Sequence, residues 1–267
     1  MGRVLIVAGS DSGGGAGVQA DLKAVTCLRG FAMTAITALT AQNTLGVHAI
    51  HAVPIDFVRS QIRVVIDDLG ADAIKTGMLA TSAIIDAVAD ELAAVAPRVP
   101  RIVDPVMVAK GGDRLLAEDA IGTLTRRLVA GAALVTPNLP EAAVLAGRPV
   151  RTVDEMRSAA HAIRAAGAGA VLLKGGHLDG AIVTDLLLSE TGEEMFVSDR
   201  IDSRHTHGTG CTLASAIAAG IAQGLSLRDA VARGRAYVRA AIASAPGYGH
   251  GHGPLDHAHT VGAFPVP

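Results

Sequence analysis

The sequence predicts an α/β protein, with a mostly parallel central sheet covered by helices on both faces. Two observations predict it. Short runs rich in β-branched residues alternate with longer segments of helical period along the 267 residues, which is the rhythm of successive β-α-β units. The residues that follow these runs are polar and glycine-rich: GSDSGGGAG (9–17), AQNT (41–44), DPVMVAKGG (104–112), TPNLPEA (136–142), KGGH (174–177) and HGTGCT (207–212). Turn formation alone explains any one such loop. Six in one chain mark a site, because open parallel sheets bind ligands beyond the carboxyl ends of their strands.

In order, VLIVAG (4–9), FAMTAITA (31–38), ADAIKTG (71–77), RIVDPVMV (101–108), ALVTPN (133–138) and AVLLKG (170–175) read as strands. Helical patterns fill about 16–29, 55–69, 81–96, 118–129 and 152–167. In the first of these, Val18, Leu22 and Val25 recur at i, i+4 and i+7 and give a stripe that faces the sheet. Residues 47–53 alternate with period two and read as an exposed or edge strand, part of a small flap. Two further strands are expected at 181–188 and 194–199, then helices at about 211–224 and 227–245 and a Gly/His-rich segment over 246–267. No linker, repeat or charge block divides the chain, so one domain over 1–267 is expected.

Composition removes several function classes. The 25 acidic and 23 basic side chains nearly balance, and the six aromatic residues include no Trp, which argues against a nucleic-acid footprint. Two cysteines, Cys27 and Cys211, form no disulfide framework or cysteine-based zinc site. A reducing, cytoplasmic setting fits that usage. No apolar run reaches the ~18 residues of a membrane span, and the N-terminal run Val4 to Ala8 reads as a buried strand rather than a signal segment.

The chemistry concentrates in the strand-end loops. In HGTGCT, Gly208 and Gly210 free the backbone around Thr209 to aim its N–H groups at one point where an apolar helix begins, a setting for phosphate or a developing anion. Cys211 stands at that helix start, where the dipole is expected to lower its thiol pKa and make it a base. Cys27, beside no glycine loop, reads as a small buried apolar residue. Asp104, Asn138 and Glu141 place oxygen ligands on neighbouring strand ends, a set that suits Mg²⁺ with nucleotide phosphates; each carboxylate alone is also explained as a cap. Lys174 ends a buried strand beside two glycines and is placed to reach phosphate. The usual nucleotide fingerprints are missing: GADAIKT (70–76) lacks the second glycine of a P-loop, and no complete G-x-G-x-x-G follows a strand.

Taken in order, GSDSGGGAGVQADLK, ALTAQNTLGV, VDPVMVAKGG, TPNLPEA, LLKGGH and HGTGCTLASAIAA resemble the hydroxymethylpyrimidine/phosphomethylpyrimidine kinases of thiamine biosynthesis, members of the ribokinase superfamily, across about residues 4–257. The resemblance implies a ribokinase-like three-layer sandwich, usually a homodimer. It also implies transfer of the ATP γ-phosphoryl group to the pyrimidine hydroxymethyl oxygen and then to the resulting monophosphate, with ATP and Mg²⁺ required. Residue by residue, it implies that Asp21 and Gln42 bind the pyrimidine, with Gly9, Val106 and Met78 along the pocket walls. Asp104, Asn138 and Glu141 would organise magnesium, Lys174 would bind phosphate, Gly208, Thr209, Gly210 and Cys211 would form the anion hole, and Cys211 would serve as base where many superfamily relatives carry Asp. The chain departs from the family at Gly13 and Gly112, where Ser is common. His177 and His207 are expected to shape their loops, and the histidines of GYGHGHGPLDHAH to lie in an exposed polar tail rather than to bind metal. A pyridoxal kinase and a catalytically silent ligand-binding homologue are the alternative readings.

Overall fold

The computed structural model describes residues 1–109 and 111–262. Lys110 of the AKGG motif and the end of the C-terminal segment, 263–267, lie outside the described residues. One nine-stranded sheet organises the described residues. It begins with β1 (Arg3–Asp11), whose run Val4 to Ala8 is fully buried. Side chains alternate across a strand, so Leu5 and Val7 enter one core and Val4, Ile6 and Ala8 the other. A continuous apolar run therefore marks a strand covered on both faces.

Helix α1 (Gly17–Cys27) follows, then β2 (Phe31–Gln42) and β3 (Val47–Ala52). The third strand runs antiparallel to the second and is exposed along most of its length, as the period-two pattern predicts for an edge. Helix α2 (Ile55–Asp68) leads to β4 (Ala73–Thr76), α3 (Ser82–Val95) and β5 (Arg101–Val103). The next strands are β6 (Leu134–Val135) and β7 (Val171–Leu173), with α4 (Ala120–Leu124), α5 (Leu139–Ala146) and α6 (Val153–Ala165) between β5 and β7. Strands β8 (Ile182–Ser189) and β9 (Gly192–Asp199) close the far edge antiparallel, and α7 (Thr209–Ala222) and α8 (Leu227–Ala243) complete the elements.

The sheet order is β3-β2-β1-β4-β5-β6-β7-β8-β9, parallel from β2 through β7. Residues of α1, α7 and α8 pack on one face, and those of α2 to α6 on the other. Three layers result. Because the chain leaves β1 for β2 on one side and returns to β4 on the other, the order reverses at β1, and a crevice opens beyond its carboxyl end.

The strands nearest this crevice are shorter than the sequence pattern suggests. The strand expected at 101–108 stops at Val103, since Pro105 has no N–H to continue the ladder. The one expected at 133–138 stops at Val135, two residues before Pro137. Both releases free polar side chains from the sheet. The helix expected at 118–129 is only five residues of α-helix before the chain widens into a π-helical turn, Thr125–Val129, closed by Ala130 N–H on the Thr125 carbonyl at 3.0 Å.

The C-terminal segment corrects an expectation. It is not a free tail but a strap, held by His252 N–H on the Thr44 carbonyl at 3.0 Å, by the Gly253 carbonyl on His207 N–H at 3.1 Å, and by Asp256 N–H on the Ala241 carbonyl at 3.0 Å. His257, within it, is buried against Tyr237, and burial first, with the nearby Lys23 charge, depresses its imidazole to about 4. Such a histidine is neutral and structural.

Candidate active site

The crevice has a volume of about 940 Å³. Every candidate residue of the sequence analysis lines it except Asp21. Its floor is the start of α7. Gly208 precedes the helix at φ +80°, where a Cβ would collide with the Gly15 carbonyl, so only glycine lets the first loop and the helix start touch. The amides of Gly210 and Cys211 lie in the first turn, before the helix can supply them a carbonyl. Both residues line the cavity.

Three strand ends converge on this point. Asp104 leaves β5 with its N–H on the Thr76 carbonyl at 3.0 Å, and its carboxylate accepts from Thr136 Oγ1 and Lys174 Nζ, each at 3.0 Å. Lys174 leaves β7 with its N–H on the Pro137 carbonyl at 2.8 Å. A Cβ added to Gly210 would stand 3.2 Å from Lys174 Nζ and 3.7 Å from Asp104 Oδ2, so the ammonium, the carboxylate and the helix start are immediate neighbours. Asp185, on β8, locks the following residue by accepting from Gly175 N–H at 2.8 Å, while Arg235 of α8 holds its other oxygen at 2.7 Å. Lys174 is thus aimed by its backbone.

Glu141 and Asn138 form a reciprocal cap at the start of α5: Glu141 N–H donates to Asn138 Oδ1 at 2.9 Å, and Asn138 N–H to Glu141 Oε2 at 2.8 Å. The amide of Asn138 therefore orients Glu141. Burial above all, and then the Asp104 charge, push the Glu141 carboxyl up to about 7 against the opposing pull of Lys174 and of the Asn138 and Met107 amides. A buried acid raised by a second carboxylate is a place where a divalent cation relieves repulsion, and two carboxylates beside a phosphate site match the ligands magnesium prefers. The residues fit that ion. Among the described residues no group of three or more His, Cys, Asp and Glu side chains converges as a protein-only metal cage.

The dipole argument for Cys211 is overturned. Burial pushes its thiol up to about 12, with the Asp21 and Asp104 charges adding to the rise and Lys75 and the Gly17 amide opposing it. Desolvation of a thiolate outweighs the helix start here. Lys75, fully buried, bonds both Asp21 oxygens at 2.9 and 2.7 Å; burial works against its ammonium, but the Asp21 carboxylate outweighs that and holds it above the usual lysine range. Asp21 is fully buried too and also accepts from Ser215 Oγ at 2.7 Å. Asp21 is absent from the cavity lining: Lys75 and Ser215 take up its carboxylate, and Lys75 is the member of the pair that lines the cavity.

At the other end of the crevice, Gly9, Gln42, Met78 and Val106 form a wall, with Met78 seated where a Gly9 side chain would stand. Sequence reading missed Asp11. Its buried carboxylate accepts from the amides of Gly13, Gly15 and Ala16 at 2.8, 3.1 and 2.8 Å and meets His207 Nε2 at 2.9 Å. Burial alone would raise this carboxyl, but the His207 contact and the Gly13 and Ala16 amides outweigh it and hold Asp11 below the usual range. The available signal was an acid at the end of a buried strand inside a glycine run. Lys75, Asp185 and Arg235 gave less, since each is separated from its partner by ten residues or more.

Comparison with known proteins identifies the family and the fold. The pattern of the phosphomethylpyrimidine kinase family matches residues 11–256. The thiamine biosynthesis bifunctional protein ThiED of Geobacter sulfurreducens is 51% identical over 96% of this chain, which spans about half, 52%, of that protein's length. The hydroxymethylpyrimidine/phosphomethylpyrimidine kinase of Streptomyces coelicolor is 48% identical over 97% of this chain and 95% of that one. Among solved structures, an ADP complex of Bacillus subtilis pyridoxal kinase superposes with a TM-score of 0.89 at 34% identity, covering 97% of this chain and 98% of that one. The fold is the ribokinase-like sandwich, and the chain belongs to the phosphomethylpyrimidine kinase family.

Proposed function

We propose that the chain transfers the γ-phosphoryl group of ATP to 4-amino-5-hydroxymethyl-2-methylpyrimidine and then to its monophosphate, giving the diphosphate for thiamine biosynthesis. The observation that carries this reading is the convergence of Lys174, Asp104 and the start of α7 in the same cavity as the Gln42 amide. A primary amide offers a donor and an acceptor side by side, the complement of a ring nitrogen beside an exocyclic amine. The wall formed by Gly9, Met78 and Val106 suits the flat apolar face of the ring.

In the mechanism, Lys174 and the amides of Gly208 to Cys211 draw charge from the transferring phosphoryl group, and Asp104 holds Lys174 in place. Asp104 and Glu141, the latter oriented by Asn138, would hold Mg²⁺, which when bound neutralises phosphate charge. The base is the thiolate form of Cys211, which accepts the hydroxymethyl proton after the thiol proton has passed to solvent. Burial holds the thiol protonated in the unliganded state, and the Lys75 ammonium opposes that and favours the thiolate. A monophosphate acceptor is already anionic and needs no such base.

The reading extends to a single domain over the chain, acting in the cytoplasm as a homodimer. The exposed apolar side chains Leu39, Leu45 and Ile50 at the β2–β3 edge support self-association, and the two cysteines are free. No helix among the described residues is long and apolar enough to cross a membrane. ADP release measured in parallel with hydroxymethylpyrimidine, its monophosphate and pyridoxal tests the function. Turnover of both pyrimidines is expected; turnover of pyridoxal alone, or of none, overturns it.

A further inference from the structure

The Gln42 amide is surrounded by groups whose protons decide which way it points. Its backbone is clasped by Ser12, which accepts from Gln42 N–H at 2.9 Å and donates to the Gln42 carbonyl at 3.0 Å. Its side-chain Oε1 lies 3.1 Å from Thr40 Oγ1 and its Nε2 lies 3.4 Å from His207 Nε2. Thr40 has one hydroxyl proton, and the Ser10 carbonyl at 2.9 Å can only accept it. His207 Nε2 faces the Asp11 carboxylate at 2.9 Å, an acceptor already fixed by three loop amides, so this nitrogen carries the proton. The amide thus sets an oxygen against an oxygen with no proton left to share, and an NH₂ against a nitrogen that is itself a donor. Turning it by 180° gives Thr40 Oγ1 an N–H to accept and sets the amide oxygen on the donor side of His207 Nε2, whose one proton, directed to Asp11 at 2.9 Å, it shares at 3.4 Å.

We infer that Asp11 and His207 are positioning residues that hold the Gln42 amide in the turned orientation, its oxygen beside His207 and its NH₂ beside Thr40, so that the oxygen receives the exocyclic amine of the ring. The chain of command runs from the first loop to the helix-start loop and on to the substrate wall. The C-terminal strap completes it: the Gly253 carbonyl takes His207 N–H at 3.1 Å, and Pro254 pairs alongside His207. A Cβ on Gly15 would strike the His207 ring and crowd Pro254, so this glycine lets strap, ring and loop close on one another. The Gly/His-rich segment thereby acquires a role in substrate reading.

The inference rests on the pyrimidine-kinase reading, and its test separates the two. Steady-state rates of the wild type, His207→Gln, His207→Phe and Asp11→Asn are measured with hydroxymethylpyrimidine and with an analogue that lacks the exocyclic amine. His207→Gln keeps a donor at the end of the side chain and is expected to behave like the wild type. His207→Phe and Asp11→Asn are expected to raise KM for the amino substrate by about tenfold, the worth of one hydrogen bond, while KM for the analogue and for ATP and the kcat of either substrate stay within about twofold. An equal rise for both pyrimidines, or a rise in KM for ATP alongside, assigns His207 a merely structural role and overturns the inference. Failure of the wild type to turn over the amino substrate overturns the functional reading instead.

Discussion

The two ends of the crevice are built on opposite principles. Around Asp11, Gln42 and His207, both Asp11 oxygens and the amides of Gly13, Gly15 and Ala16 have protein partners within hydrogen-bond distance, and Asp11 is held below the usual carboxyl range. Around Asp104, Glu141 and Lys174, two buried carboxylates share one ammonium, and Glu141 is driven up to about 7. One end is satisfied and rigid before any ligand arrives. The other stores electrostatic strain that nucleotide and metal relieve, so recognition of the ring rests on pre-set geometry while transfer rests on charge awaiting its partner.

The largest effect is expected at the strained end. Lys174→Ala leaves Asp104 buried without its cation and removes the ammonium from the phosphoryl group; kcat should fall by about 10²–10³-fold, read from ADP release at saturating pyrimidine. A smaller loss would move the charge-neutralising role elsewhere. Next comes Cys211→Ala, expected to slow the first phosphorylation by about 10²-fold or more and to leave the second nearly unchanged. Equal losses in both steps would make Cys211 a part of the anion hole only.

Two stability measurements sharpen the contrast, because the two acids have opposite signs. A carboxyl depressed in the folded state contributes stability above its unfolded pKa, and that stability is lost as pH falls through the folded value. Asp11→Asn should therefore destabilise the protein by about 1–3 kcal/mol at pH 7, with the gap to the wild type closing as acid protonates Asp11. A carboxyl raised in the folded state behaves the other way: between its ordinary value of 4.5 and about 7, stability falls as pH rises. Glu141→Gln should accordingly raise the melting temperature of the ligand-free protein by about 2–4 °C at pH 8 and change it little at pH 5. Destabilisation at pH 8 would mean that the Glu141 charge is already balanced by Lys174.

The sequence pattern made the scaffold legible where burial repeats. Val4 to Ala8, the stripe of α1 and the alternation of 47–53 all correspond to the elements they suggest. It was less legible where strands end early to deliver side chains, since β5 and β6 are only three and two residues long and end ahead of Pro105 and Pro137, inside runs that the pattern extends as strand. The π-helical turn at Thr125–Val129 has a period that a 3.6-residue pattern hides. In the site, the order of the glycine loops showed which loops meet, because each lies at a strand end. The pairings of Asp21 with Lys75 and of Asp11 with His207 span 54 and 196 residues and belong to the topology, not to local spacing. The thiol of Cys211 was misjudged for the same reason: its helix start is visible in sequence, whereas the desolvation that governs it arises only when distant walls close around it.

A crystal structure with the aminopyrimidine alcohol, magnesium and a non-hydrolysable ATP analogue bound together tests the central claim most directly. The account predicts the exocyclic amine on Gln42, the terminal phosphate against Lys174 and the first turn of α7, and the hydroxymethyl oxygen between them beside Cys211. A heterocycle seated away from Gln42, or a terminal phosphate out of reach of Lys174, would contradict it.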